Sequence, residues 1–456
     1  MIKYIKLNSL LLAVAMLFAT TACEYGDINV DPTSLNEDQV SVSLLLPGAI
    51  MQLGYNTGAL GGRNPGMFMQ YFQGQDAQQL AYTQYNVTDN AMNNFWRTGM
   101  YGGNMKDLNL IIEKTTAAEG TEANVDAPYY RGIARILMAN SLGILTTFFG
   151  DIPYSEAFQG DEGIIQPAYD TQEEIYNSIQ SLLSGAISDL SGDPGLIVPG
   201  EDDLIHGGDP DLWIKTAYGL SARYYLQQSN FDDAASALTN ALSSNADNAL
   251  FPFEATITGA NPFWLFENDR TATMRIHPYF RSVMSGDPRF DAYIGSNNIF
   301  ANQFWTSQGS PLKLITYSEV KMMEAEIESR AGNNAAALAA MQEGIEANME
   351  VLEIAPVAIE QYLAGVSNAS LQTVMNEKYK LIYPLTEVSW ADQRRTGFPD
   401  LEPNQELGSN LTIPQRFPYP NSEDQYNKEN KDAARDRLGI TSDEDNLFRT
   451  LPVFAN

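Results

Sequence analysis

Apolar residues recur at three- and four-residue spacing through most of the chain, and that spacing predicts helices. The clearest covers 171–190, where Ile175, Ile179, Leu182, Ala186, Ile187 and Leu190 share one face and Thr171 with Glu174 makes a capping box. Helices are expected likewise over 41–53, over 90–115 and over 129–149, the last stopping at Gly150-Asp151 before Pro153. From Asp209, Trp213, Ala217, Leu220 and Tyr224 repeat at helical spacing; Ser229-Asn230 interrupts them, and Phe231, Ala234, Ala235, Leu238, Ala241 and Leu242 resume. The same two-helix unit returns over 317–349 with its break at Ala331-Gly332-Asn333. Each resembles a tetratricopeptide hairpin, but a continuous solenoid would repeat every ~34 residues without a gap. The pattern therefore predicts an all-α fold with a discontinuous tetratricopeptide-like helical-repeat scaffold.

Two stretches lose the helical period. Residues 54–90 are dense in Gly, amides and aromatics, including Arg63, Tyr71, Phe72, Gln73, Gln75, Asp76, Gln78, Gln79, Tyr82, Gln84, Tyr85 and Asn86. Amides bridge hydroxyls and rings stack on C–H faces, so this mixture suits carbohydrate recognition; loop chemistry and packing produce the same mixture. Residues 245–311 carry Asn261-Pro262-Phe263-Trp264, Phe266, Asn268-Asp269-Arg270 and Phe304-Trp305. Long irregular segments in compact domains are usually functional or disordered, and two tryptophans argue against disorder. Further on, 375–383 reads as a basic amphipathic helix, and the Arg394-Arg395 pair in so acidic a chain reads as partners in buried ion pairs.

The N-terminus follows a different rule. Lys3 and Lys6 precede an unbroken apolar run over 10–19, and Thr20-Thr21-Ala22 lead into Cys23, the only cysteine present. At ~1.5 Å per residue the run spans about 15 Å, half the roughly 30 Å hydrocarbon core, so it reads as a secretory signal rather than a permanent span. Cleavage would leave Cys23 at the new N-terminus as a lipid-attachment site; the plainer reading is an ordinary signal with an incidental thiol. The expected organisation is a signal peptide over 1–22, a lipid anchor and tether over 23–40, and one α-helical domain over 41–456 with an irregular insertion at about 245–311.

Charge and chemistry narrow the function. A formal net charge of −30 repels nucleic acid and anionic lipid. No phosphate-cradling loop, zinc spacing or calcium loop occurs, so no metal or other cofactor is expected. His206 and His277 are the only histidines, which leaves little material for a nucleophilic triad. A glycoside hydrolase needs only two facing carboxylates, and Asp76, Asp89, Asp269, Glu319, Glu324 and Glu326 are available. Glu319, Glu324, Glu326 and Glu328, however, read as the solvated face of an acidic helix.

Several motifs occur in a telling order: Cys23 after its signal; Gln172-Glu173-Glu174-Ile175-Tyr176; Gly207-Gly208-Asp209 followed by Trp213 and Arg223; Asp287-Pro288-Arg289; and Tyr317-Ser318-Glu319 with Glu324-Ala325-Glu326. They continue with Trp390 and Arg394-Arg395-Thr396-Gly397-Phe398-Pro399, then Ile413-Pro414 with Arg416 and Tyr419-Pro420. In this order they resemble the SusD/RagB family of nutrient-binding outer-membrane lipoproteins, in its shorter branch. The resemblance implies a tetratricopeptide-like scaffold with a loop-rich ligand-binding side. It also implies a lid over a SusC-like TonB-dependent transporter that captures glycans or oligosaccharides. The shared motifs read as scaffold rather than site, and Phe398 stands where the family often has Tyr.

The function expected from the sequence is thus a surface-exposed outer-membrane lipoprotein, anchored through Cys23, that binds an oligosaccharide without breaking bonds. Trp264, Trp305 and Tyr82 are the candidate stacking residues, with Asn261, Asp269 and Arg270 as polar partners and Trp96 a further aromatic by composition. The alternatives are a surface hydrolase of the all-α toroid type and a structural or adhesive lipoprotein with no small ligand.

Overall fold

The computed structural model describes residues 40–116, 125–295, 298–404, 412–442 and 445–455. The signal at 1–22, Cys23 and nearly all of the 23–40 tether lie outside the described residues. Contacts separate two units, Met1–Ser41 and Val42–Asn456, and the second holds every element below.

Its frame is a set of paired helices. Pro128–Phe149 packs on Gln172–Leu190, Pro210–Gln227 on Phe231–Leu238, and Tyr317–Arg330 on Asn334–Val351. Side-chain caps start them where the sequence places small polar residues. Thr171 and Glu174 complete the capping box, Asp209 accepts from the Asp211 and Leu212 amides ahead of Pro210, Asn230 accepts from Asp233, and Thr316 accepts from Glu319. Each cap contributes about 1 kcal/mol by satisfying amides that have no partner within the helix.

Pro128–Phe149 is long and apolar enough to cross a membrane, but it is the central core helix, with 94% of its apolar window buried. Gly143 explains how closely it is approached: a Cβ there would lie 2.2 Å from the Tyr224 ring, whose hydroxyl bonds Asn140 Oδ1 at 3.0 Å.

Buried ion pairs tie distant helices together. Arg223 holds Glu319 through two 2.8 Å bonds, and Arg395 holds Glu326, which also meets Arg330. Both glutamates are fully buried, so the expected solvated face is wrong at these two positions. The cause is position: Tyr317–Arg330 packs on Asn334–Val351, on the earlier hairpin and on Leu371–Leu381 together, so one face alone does not serve for burial. Burial would raise the Glu326 pKa, but Arg395 overrides it and holds the carboxyl down at about 2. Arg395 is paired as the sequence suggested, whereas Arg394 donates to the carbonyls of Trp390, Thr147 and Gln415 and stacks on Trp390.

The other motifs are also framework: Trp213 Nε1 donates to Asp203, Trp390 Nε1 donates to the Pro414 carbonyl, and Arg416 is fully buried.

The two aperiodic stretches meet. Phe72–Gly74 pairs antiparallel with Met274–Ile276, in the register Phe72 opposite Ile276, Gln73 opposite Arg275 and Gly74 opposite Met274. A second ladder, Ala249–Phe251 against Leu312–Ile315, closes the base of the insertion. The 54–90 stretch is more helical than its sequence suggests, containing Leu60–Phe68 and Ala77–Thr83, and the first helix runs on to Gly58. The expected helix over 90–115 is π-helical from Phe95, is broken by a kink at Gly103, where φ is −106° and ψ −118°, and resumes as an α-helix over Met105–Thr116.

Candidate functional site

Where those two stretches meet, a pocket of about 490 Å³ opens among five elements. Gln52, Tyr55 and Asn56 come from Val42–Gly58, Arg63 from Leu60–Phe68, and Gln78 and Gln79 from Ala77–Thr83. Asn94, Phe95, Thr98 and Gly99 belong to the π-helical segment and the residue before it, while Phe266 and Arg270 come from Pro262–Asp269 and its C-cap. The volume lies within the roughly 300–1,000 Å³ of small-ligand pockets, and π-helical turns are frequent at functional sites.

The local backbone is built for this meeting. Gly74 ends its strand so near the next helix that a Cβ would lie 2.0 Å from the Gln79 carbonyl, an approach only glycine permits. Ala77 and Ala272, flanking the paired strands, both sit at positive φ, +44° and +62°, conformations that cost about 1–3 kcal/mol and collect at functional sites.

Arg63 is only 9% exposed, its guanidinium lies 4.1 Å from the centre of the Phe266 ring, and its Nε is shielded from water with no hydrogen-bond partner among the described residues. Burial lowers its pKa to about 10, with Arg270 lowering it further and Tyr55 and Tyr82 opposing, so it remains a cation at neutral pH. Gln79 Oε1 is likewise buried and unpartnered. Buried polar atoms normally find partners, and here a donor and an acceptor without one belong to residues lining a single pocket. Tyr55, 43% exposed, supplies an apolar face beside them, while the Phe266 ring is covered by Arg63.

A second hollow of about 330 Å³ is lined by Trp96, Arg97, Tyr101, Phe158 and Tyr426 among others. Trp96 Nε1 donates to Glu423 at 3.1 Å and the Tyr169 hydroxyl donates to the same carboxylate at 2.7 Å, while the buried Ser422 Oγ on its wall has no hydrogen-bond partner among the described residues. The first pocket is lined by both aperiodic stretches and this one by neither, which makes the first the better candidate.

Of the six residues expected at the site, Arg270 lines this pocket. Tyr82 lies behind it, 4% exposed, and its hydroxyl accepts from Gln78 at 2.5 Å. Trp264 is half-buried on the same helix as Phe266 but does not line the pocket, and Asp269 is exposed and bonded to Asn268. Asn261 and Trp305 require correction as direct ligand contacts. Asn261 is fully buried, caps Pro262–Asp269 by accepting from Phe263, and donates to the Trp305 and Ser310 carbonyls. Trp305 is 2% exposed and lies under the Lys313 ammonium, 4.6 Å away, so it has no free face for a sugar.

Among the described residues no group of three or more His, Cys, Asp or Glu side chains is placed to hold a metal ion. Of the carboxylates considered for hydrolysis, Glu319 and Glu326 are bound by arginines, Glu324 is paired with Lys321, and Asp76, Asp89 and Asp269 are exposed.

The profile of the SusD-like family, described as starch-binding and associating with the outer membrane, matches residues 34–304 and 295–420. No curated protein matches the chain. Solved structures do. A SusD/RagB family protein from Bacteroides thetaiotaomicron is 22% identical, covers 91% of this chain and 99% of its own, and gives a TM-score of 0.72. A protein described as chitin-binding is also 22% identical, over 90% of this chain and 100% of its own, with a TM-score of 0.73. A SusD homologue from Bacteroides fragilis is 19% identical, over 91% and 99%, with a TM-score of 0.74. At these identities the structures establish the shared fold.

Proposed function

Because the chain belongs to the SusD/RagB family of outer-membrane proteins, a family of binding proteins rather than enzymes, we propose that it captures a soluble oligosaccharide at the cell surface and delivers it to a SusC-like TonB-dependent transporter. An acylated Cys23 would hold it at the membrane, with about 0.8 kcal/mol for each buried methylene of its acyl chains.

The observation that carries the reading is the pocket between the two aperiodic stretches. It offers what a sugar needs: a ring face from Tyr55, amides from Gln52, Gln78, Gln79 and Asn94, and the guanidinium groups of Arg63 and Arg270. The chitin-binding protein of the same fold supports a glycan as the ligand class.

Co-isolation in mild detergent from the native outer membrane tests the partner. A large TonB-dependent barrel recovered in near-equal amount is the expected result, and recovery of this protein alone would remove the transporter from the proposal. For the site, Phe266→Ala is expected to weaken oligosaccharide binding about 5- to 10-fold by titration calorimetry, since it removes the seat of Arg63. Unchanged affinity would move the ligand elsewhere.

A further inference from the structure

The acidic composition makes one feature of the pocket conspicuous. Acidic residues outnumber basic ones 57 to 27, and most buried arginines are paired or capped by carbonyls: Arg223 with Glu319, Arg289 with Asp287 and Glu377, Arg395 with Glu326 and Asp392, and Arg394 with three carbonyls. Arg63 and Arg270 differ. Among the described residues neither meets a carboxylate at ion-pair distance, none of those lining the pocket is Asp or Glu, and both arginines line it. Two cations lining one pocket, one of them buried with its Nε unpartnered, cost free energy unless a countercharge enters.

We infer that the pocket takes the anionic group of an acidic sugar, a uronic-acid carboxylate or a sulfate ester, held between Arg63 and Arg270. The inference rests on the oligosaccharide reading and names its ligand class. A guanidinium presents parallel N–H donors that match the two oxygens of a carboxylate or sulfate, and Arg63 is pre-set by its stack on Phe266. Arg270 closes the pair from the exposed rim. The amides at Gln78, Gln79 and Asn94 remain for ring hydroxyls, and Tyr55 for a C–H face. The mean charge of the molecule repels such a ligand at long range, so selectivity comes from this local reversal of sign.

The test is titration calorimetry on the detergent-solubilised full chain. The probes are tetrasaccharides containing galacturonate, glucuronate or mannuronate, each set against its carboxyl-reduced neutral counterpart, together with sulfate esters of the neutral forms. The expected result is that at least one acidic probe binds about 10- to 100-fold more tightly than its neutral twin, that the margin shrinks as salt is raised, and that Arg63→Gln and Arg270→Gln each remove it. A margin seen with uronates assigns the carboxylate, and one seen only with sulfate esters assigns the sulfate. Arg270 is exposed, so its variant carries the test should Arg63→Gln not fold. Neutral probes binding as tightly as acidic ones would overturn the inference and leave the oligosaccharide reading standing. Binding of no probe in either form would overturn both.

Discussion

Glu319→Ala is expected to lower the unfolding free energy by about 3–5 kcal/mol, the cost of leaving a buried cation without its partner. Arg223 and Glu319 are both buried, and they join Pro210–Gln227 to Tyr317–Arg330 across the break between the two hairpins. The Arg223 guanidinium also donates to the Leu314 carbonyl at 2.7 Å, so it is fixed before the carboxylate is considered. Burial alone would lower the Arg223 pKa, and Glu319 more than reverses that, so removing the carboxylate leaves a charge with no means of reaching water. The double variant Arg223→Met with Glu319→Leu removes both charges and is expected to recover most of the loss, because an apolar pair of similar volume carries no desolvation cost. Urea denaturation of both variants measures the difference. A loss below about 1 kcal/mol in Glu319→Ala would show that water reaches the pair, as it does for exposed pairs.

That ion pair also marks where the sequence stops being readable. Local signals transferred directly. Thr171 and Glu174 cap the helix they precede, Asp209-Pro210 opens the next, and the breaks at Ser229-Asn230 and Ala331-Gly332-Asn333 separate paired helices. Each rests on residues within one turn of one another. Glu319 and Glu326 were unreadable because their partners stand far along the chain, Arg395 being 69 residues from Glu326. Leu60–Phe68 was hidden for a related reason. Gly61, Gly62, Pro65 and Gly66 have poor helix propensity, and the helix forms because it packs between Val42–Gly58 and Thr386–Thr396, where Thr386 Oγ1 donates to the Gly62 carbonyl at 2.6 Å.

The site divides in the same way. Composition marked both contributing stretches but not which side chains face the pocket. Asn261 read as a polar contact, yet its place ahead of Pro262 makes it an N-cap. Once the helix is known to begin there, Phe266 and Arg270 fall four residues apart on one face, which is the face that lines the pocket. The absence of an acid beside Arg63 is a property of tertiary arrangement alone, and no sequence pattern carries it.

Glu387→Gln is expected to stabilise the protein increasingly as pH rises from about 5 to 8, reaching on the order of 3–5 kcal/mol at the upper end. Glu387 is buried on Thr386–Thr396, and its Oε2 has no hydrogen-bond partner among the described residues. Burial raises its pKa to about 8; Arg223, already committed to Glu319, lowers it too little, and Glu319 itself raises it. The direction follows from proton counting. Between the ordinary carboxyl value of 4.5 and about 8, the folded chain keeps a proton that the unfolded chain has released. The contribution is therefore fully present below pH 4.5 and is lost as pH rises through 8. Glutamine keeps the shape of the protonated acid and has nothing to release, so the variant is insensitive at this position. Lys313 works in the opposite sense and at higher pH. Burial lowers its pKa to about 7 from 10.5, and the unfolded chain holds the extra proton between those values, so stability from this group grows as pH rises through that range. Comparing wild type with Glu387→Gln at each pH cancels the Lys313 contribution, since both chains carry it. Urea midpoints at pH 5 and pH 8 are sufficient. A variant-minus-wild-type difference that is equal at the two pH values would show that the Glu387 carboxyl titrates as an exposed one does, and would place water beside it.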